Sequence, residues 1–207
     1  MKAQEANHDM SAPTGSSHDR ILMAAKQLFA SRGYENTSTV AIARLAGTSE
    51  SQLMKHFGNK EGLLEAIFDQ GWEKMSFALR AIHELPNPGE KLLALLDLVI
   101  RAFERDPELK ELMLLEGRRV RKEGHMVLLT RGYQELVKTV DSLMLEMQAA
   151  GELPYDVNSQ AIRSGIMGML EGLMRDQVLA QRINYPATYS IEDIRKLFTS
   201  VLGKLHP

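Results

Sequence analysis

Six histidines and no cysteine set the first limit on the chemistry these 207 residues can carry. His8, His18, His56, His83, His125 and His206 are scattered, and no two stand three or four apart, the spacing that turns two imidazoles to one ion on a helix face. Without a thiol there is no disulfide and no thiolate metal site, which agrees with a reducing compartment. No nucleophile-and-base set and no phosphate-cradling loop is recognisable, so we expect no enzyme, no metal and no cofactor. What remains is polar recognition. From His18 to Gly62 six basic side chains stand against four acidic ones, net +2, while the whole chain carries −2 and the rest therefore −4. Such a chain cannot hold nucleic acid by bulk charge, so any such binding falls to a local patch.

That patch needs elements to present it. Residues 1–16 are polar, hold Pro13 and Gly15 and show no hydrophobic period, which predicts a disordered arm. Ile21, Ala24, Ala25, Leu28 and Phe29 recur at helical spacing, and Gly33 can close that first helix. Ser38 caps a short second helix with Ile42, Ala43 and Leu45, and Ala46-Gly47-Thr48 leaves room only for a tight turn. Ser49 and Gln52 then form a capping box for a third helix with Leu53 and Phe57 inward. After Gly58, Asn59 caps a long fourth helix through Leu63, Leu64, Ile67 and Phe68.

Further along, Asn87-Pro88 and Asp106-Pro107 are cap-then-proline starts, and Leu92 to Phe103 is apolar on nearly every side, as in a helix packed centrally. A long helix is expected beyond Gly124, carrying Leu129, Tyr133, Leu136, Val140, Met144 and Met147 and stopping at Gly151. Asp156 is expected to open another to about Gln181, and Ser190 the last. No stretch alternates with period two, so we expect an all-α chain of about nine helices without a sheet. The start lacks a signal peptide's pattern, and no run reaches the roughly 18 apolar residues of a membrane span. A cytoplasmic protein with no membrane partner is expected.

A short helix, a glycine turn and a second capped helix between Thr37 and His56 make a helix-turn-helix, which can place its second helix in the DNA major groove. The run that contains it reads Arg20-Ile21-Leu22-Met23-Ala24-Ala25, Leu28-Phe29, Gly33-Tyr34, Thr37-Ser38-Thr39, Ile42-Ala43, Ala46-Gly47-Thr48-Ser49, Leu53, His56-Phe57 and Lys60-Glu61-Gly62-Leu63. It resembles the TetR family of transcription regulators over about the first third of the chain, and the remainder matches that family in layout. The resemblance implies a three-helix DNA-binding domain over 17–77 joined to a helical ligand-binding and dimerisation domain over 78–207. It makes Thr37, Ser38, Thr48, Ser49 and Lys60 DNA-binding positions, with the hydroxyls or capped amides of Thr37, Ser38 and Ser49 offered to phosphates and Lys60 meeting one from the start of the fourth helix. Ser51, Gln52, Lys55 and His56 would read bases, Gln52 taking adenine and Lys55 guanine, each worth about 1–3 kcal/mol of discrimination. Two residues depart from the family. Met54 stands where an aromatic is usual, removing a phenol from the phosphate contacts, and Glu50 brings a negative charge near the DNA backbone.

Ser164, Gly168 and Gly172 lie four apart, with Gly165 beside them. Each glycine costs roughly 1 kcal/mol against alanine in a helix, so close helix packing must compensate. The reading open from the residues alone is packing within one subunit or against a second; the resemblance implies a homodimer through the last two helices, with Ser164, Gly165, Gly168, Met169, Gly172, Leu197 and Val201 at the interface and a palindromic operator as partner. Met113, Met126, Met144, Met147 and Met167 suit the wall of an apolar ligand pocket or an irregular core equally. The run Arg118-Arg119-Val120-Arg121-Lys122 reads as a solvated helix end or a seat for an anionic head, Asp97 as the i,i+4 partner of Arg101, and Trp72 as core. The function implied is a ligand-responsive regulator, a repressor released from its operator by a small, largely apolar inducer. The alternative is a helical small-molecule or lipid binder whose helix-turn-helix no longer functions.

Overall fold

The hydroxyl of Ser16 accepts the Asp19 amide at 3.1 Å and so starts α1 (Ser17–Arg32). The computed structural model describes residues 15–120 and 126–203. Among the described residues eight further helices follow: α2 (Thr39–Leu45), α3 (Glu50–Phe57), α4 (Lys60–His83), α5 (Pro88–Arg105), α6 (Pro107–Leu115), α7 (Arg131–Ala149), α8 (Ser159–Ile183) and α9 (Ile191–Gly203). Among the described residues the extended pairing is confined to an isolated bridge between Val120 and Met126, so the fold is all-α. The expected arm lies outside the described residues except for Gly15 and the cap Ser16. The chain divides into two compact units, Met1–Leu63 and Leu64–Pro207, where the sequence suggested a division at 77/78.

In the first unit α1, α2 and α3 each touch the other two. Ile21, Ala25, Phe29, Ile42 and Leu53 are at most 1 % exposed, and each large apolar side chain so buried contributes about 1.5–3 kcal/mol. Ser38 and Ser49 accept the amides of Ala41 and Gln52, both at 3.2 Å, as caps of α2 and α3. Between them Gly47 takes φ +62°, a conformation that favours glycine, and lets Thr48 N reach Ala43 O at 3.0 Å.

The second unit is built around α5, which packs against α6, α7 and α9 and buries Leu92, Leu95, Leu96, Val99, Ile100 and Phe103. Its all-round apolar pattern has this cause. Asn87 and Asp106 cap α5 and α6 as their proline-following positions suggested, accepting the amides of Glu90 at 2.9 Å and Leu109 at 3.1 Å. Two boundaries differ from expectation. Thr130, not a residue just past Gly124, caps α7, which leaves Leu129 outside the helix and half in solvent. Asn158, not Asp156, caps α8, its carboxamide oxygen accepting the amides of Gln160 and Ala161, and Asn184 in the left-handed conformation closes the helix. An aspartate and an asparagine two residues apart are equivalent cap signals in sequence; backbone geometry selects between them.

Candidate nucleic-acid interface and ligand cavity

Leu53 anchors α3, being wholly buried, and Phe57 is half-buried one turn on. The opposite side is open: Ser51, Met54, Lys55 and His56 are exposed and Gln52 is half-exposed. Ser51, Met54 and Lys55 are related by three- and four-residue steps and share one face, with Gln52 alongside Lys55 by the same rule. The ring of His56 is tied back to α1, its Nε2 lying 3.0 Å from Ser17 Oγ and its ring edge-on to His18 at 5.6 Å.

A groove beside α3 is lined by Thr39, Glu50, Ser51, Met54, Asn59 and Lys60. Here the hydroxyl of Thr39 donates to Glu50 Oε1, which ties α2 to α3 and gives the acidic departure from the family pattern a structural partner. Lys60 Nζ donates to the carbonyls of Tyr34 at 3.0 Å and Thr37 at 3.2 Å and sits 4.2 Å from the centre of the Tyr34 ring. The first amides of α4 lie beside it, with Asn59 Oδ1 accepting Gly62 N at 2.7 Å. Ser38, Ser49 and Thr48 are at least partly exposed on this unit.

Thr37 needs correction. It is 2 % exposed, and its hydroxyl is directed at the carbonyls of Gly33, 2.8 Å, and Leu28, 3.2 Å. Its side chain fixes the link from α1 to α2 rather than offering a hydroxyl to a phosphate. Sequence reasoning also missed Arg20 as a brace, its guanidinium donating to Ala46 O at 3.0 Å and Gly15 O at 2.9 Å.

The second unit holds an apolar cavity of about 80 Å³ whose walls include Trp72, Phe103, Met113, Tyr133, Met167 and Glu171. Two of the five methionines singled out thus line it. Met144 and Met147 are buried but not on its wall, because the α7 wall residues are Tyr133, Leu136 and Val140 and these methionines come one and two turns later. Met126 pairs with Val120 in the bridge and is not one of the wall residues. Trp72, read as core, is buried at 7 % exposure and belongs to this wall.

A polar cleft shares Tyr133, Met167 and Glu171 with the cavity and adds Arg118, Arg163 and Arg175. Arg118 Nε donates to Glu171 Oε1 at 2.5 Å and its NH2 to the Tyr133 oxygen at 3.2 Å. The Glu171 hydrogen bond is the main reason the Arg118 pKa lies above its ordinary value. Arg121 and Lys122 of the basic run lie outside the described residues.

On α8, a Cβ added at Gly165 or Gly168 would meet nothing within 4 Å, and at Gly172 only the Arg175 guanidinium at 3.9 Å. Among the described residues these glycines therefore have no close packing partner within the subunit. Ser164 is exposed and Met169 half-buried, while on α9 Leu197 and Val201 are more than a third exposed and Ile194, Phe198 and Leu202 turn inward. Among the described residues no three histidine, aspartate or glutamate side chains gather as a metal site, and no helix is long and apolar enough to cross a membrane.

A three-helix unit that holds an exposed, capped third helix, on a chain whose second unit is helical with an apolar cavity, defines the helix-turn-helix regulators of all-α type. Residues 21–67 match the family model described as bacterial regulatory proteins, tetR family. The chain is 27 % identical over 161 residues to the HTH-type transcriptional regulator UidR of Escherichia coli K12, covering 76 % of this chain and 79 % of that protein. Among solved structures, the fatty acid degradation regulator FadR of Bacillus halodurans superposes with a TM-score of 0.76 at 23 % identity, over 92 % of this chain and 96 % of that one. FadR of Bacillus subtilis in complex with stearoyl-CoA gives 0.74 at 22 %, over 91 % and 97 %. Over residues 21–67 the chain thus matches the TetR family of bacterial regulatory proteins, and the solved structures it is similar to share its fold over nine-tenths of its length.

Proposed function

We propose that this protein is a homodimeric repressor that holds a palindromic operator through α3 and leaves it when a small, largely apolar inducer enters the cavity of the second unit. The observation that carries the reading is the open face of α3, where Ser51, Lys55 and the partly exposed Gln52 stand on a helix pinned by Leu53. Gln52 and Lys55 read base edges, with His56 beside them. Ser38, Thr48 and Ser49 face phosphates. Lys60 spends two of its three donors on Tyr34 and Thr37 and turns the third to a phosphate at the start of α4.

Dimerisation is supported by the bare glycines of α8. Three glycines in one helix weaken it, and within the subunit they gain no close contact, so a second copy laid against Ser164, Gly165, Gly168, Met169 and Gly172, with Leu197 and Val201 of α9, supplies the compensation. Release requires only that the ligand bind the operator-free form better than the bound one. The apolar cavity, with Met113 and Met167 on its wall, supports a ligand of apolar body, as does the stearoyl-CoA bound by the B. subtilis FadR of the same fold.

Selection from random duplex DNA by the purified protein tests the reading. Enrichment of an inverted repeat is expected. If no sequence is enriched, the specific-repressor reading fails, and a helical ligand binder takes its place. Light scattering on the same sample is expected to give twice the 23.2 kDa chain mass; a monomer at micromolar concentration would contradict the dimer.

A further inference from the structure

Glu50 is the first residue of α3 and is exposed, and with Ser51 and Met54 it lines the open groove beside that helix. When the second helix of a helix-turn-helix enters the major groove, the residues at its N-terminal end lie against the base edges. A carboxylate in that place is opposed by every phosphate around it, so its presence calls for a contact that offsets the repulsion. Its side chain is not free to swing away, because the Thr39 hydroxyl of α2 donates to Oε1. Oε2 has no hydrogen-bond partner among the described residues, and no cation is paired with the carboxylate there. One oxygen is thus tethered and the other left open to the groove.

An ionised carboxylate accepts hydrogen bonds and donates none. In the major groove only two base groups donate, the amino groups of cytosine and adenine. Adenine sets its N7 acceptor beside the amino group, an edge that suits the donor and acceptor of an amide and repels a carboxylate. Cytosine carries a C–H at the neighbouring position, with no lone pair to oppose the oxygen. We infer that Glu50 is a specificity-determining residue that reads one cytosine in each half-site, Oε2 accepting from the N4 amino group while Thr39 holds Oε1. The inference rests on the proposed reading of α3 as the major-groove helix and adds a base to those assigned to Gln52 and Lys55.

Selection from random duplex DNA with the full-length wild type and with Glu50→Ala tests it. Wild type is expected to enrich cytosine at one position of each half-site, and in Glu50→Ala the preference for cytosine over the other bases there is expected to fall about fivefold or more. A duplex in which that cytosine is replaced by pyrimidin-2-one, which lacks only the exocyclic amino group, is expected to weaken wild type by a similar factor and to leave Glu50→Ala unaffected. Affinity altered equally for all sequences in Glu50→Ala overturns the inference and reduces Glu50 to a tie between α2 and α3. A wild type indifferent to the pyrimidinone overturns it as well. If Glu50→Ala does not fold, the pyrimidinone titration of wild type decides alone. An enriched inverted repeat with no cytosine that depends on Glu50 refutes this inference and leaves the repressor reading intact, whereas absence of any enriched sequence refutes that reading and this inference with it.

Discussion

Thr37 and Lys60 share one task inside the first unit: both fix the segment between α1 and α2, Thr37 from beneath through the carbonyls of Leu28 and Gly33, Lys60 from the side through those of Tyr34 and Thr37. Their variants separate fold from DNA contact. Thr37→Val keeps the shape and loses the hydroxyl, so it is expected to lower stability by about 1–2 kcal/mol in urea unfolding while leaving the salt slope of DNA binding unchanged. Lys60→Ala removes two charge-assisted hydrogen bonds and the ring contact and is expected to cost about 2 kcal/mol of stability. It should also weaken binding uniformly across DNA sequences and reduce the salt slope by about 1. If the slope is unchanged, Lys60 is a brace only. The types of these residues and their place beside a helix-turn-helix were legible in the sequence. Which way the Thr37 hydroxyl turns was not, because that depends on two carbonyls four and nine residues upstream that only the folded turn brings into reach.

At the scale of elements, α8 and α7 use glycine in opposite ways. Gly132 makes room for Trp72, and a methyl there must displace the ring; Gly132→Ala is expected to destabilise by about 1–3 kcal/mol and to perturb the indole resonance. Gly168 faces open space within the chain, so Gly168→Ala is expected to stabilise the isolated subunit by up to about 1 kcal/mol. Gly168→Leu is instead expected to weaken the dimer in sedimentation equilibrium; an unaffected dimer would remove α8 from the interface. Periodicity identified the glycine ridge but could not say which side of it was occupied, because spacing fixes a helix face and not its neighbour.

The α5–α9 contact gives a pH signature. Burial opposes ionisation of Asp97, but hydrogen bonds from Arg101, 2.5 Å, and Arg195, 2.8 Å, outweigh it and hold the carboxyl below its ordinary value near 3.8. A carboxyl lowered in the folded state binds fewer protons than in the unfolded chain, so its stabilisation is present above pH 3.8 and is lost as pH falls through the folded value. Asp97→Asn is accordingly expected to reduce stability at neutral pH and to flatten the acid limb of a stability–pH curve. Sequence spacing offered Arg101 as partner; Arg195, 98 residues away, is a product of the fold.

In the proposed regulator one unit would read the operator and the other would hold the ligand. The helix count and the cap-and-proline starts of α5 and α6 could be read from the chain, since capping and apolar spacing are local. The cavity could not be, because its wall draws on five helices and a loop, and three of the five methionines that composition suggested lie elsewhere. Specific recognition of DNA by α3 is the claim on which the rest depends. Anisotropy titration of a labelled duplex carrying the selected site, against a scrambled duplex and at several salt concentrations, tests it most directly. Wild type is expected to prefer the selected site by at least about 10³-fold. Gln52→Ala should lose about 1–3 kcal/mol of that discrimination at one position in each half-site without loss of fold. Equal affinity for both duplexes, vanishing together as salt rises, would contradict the account.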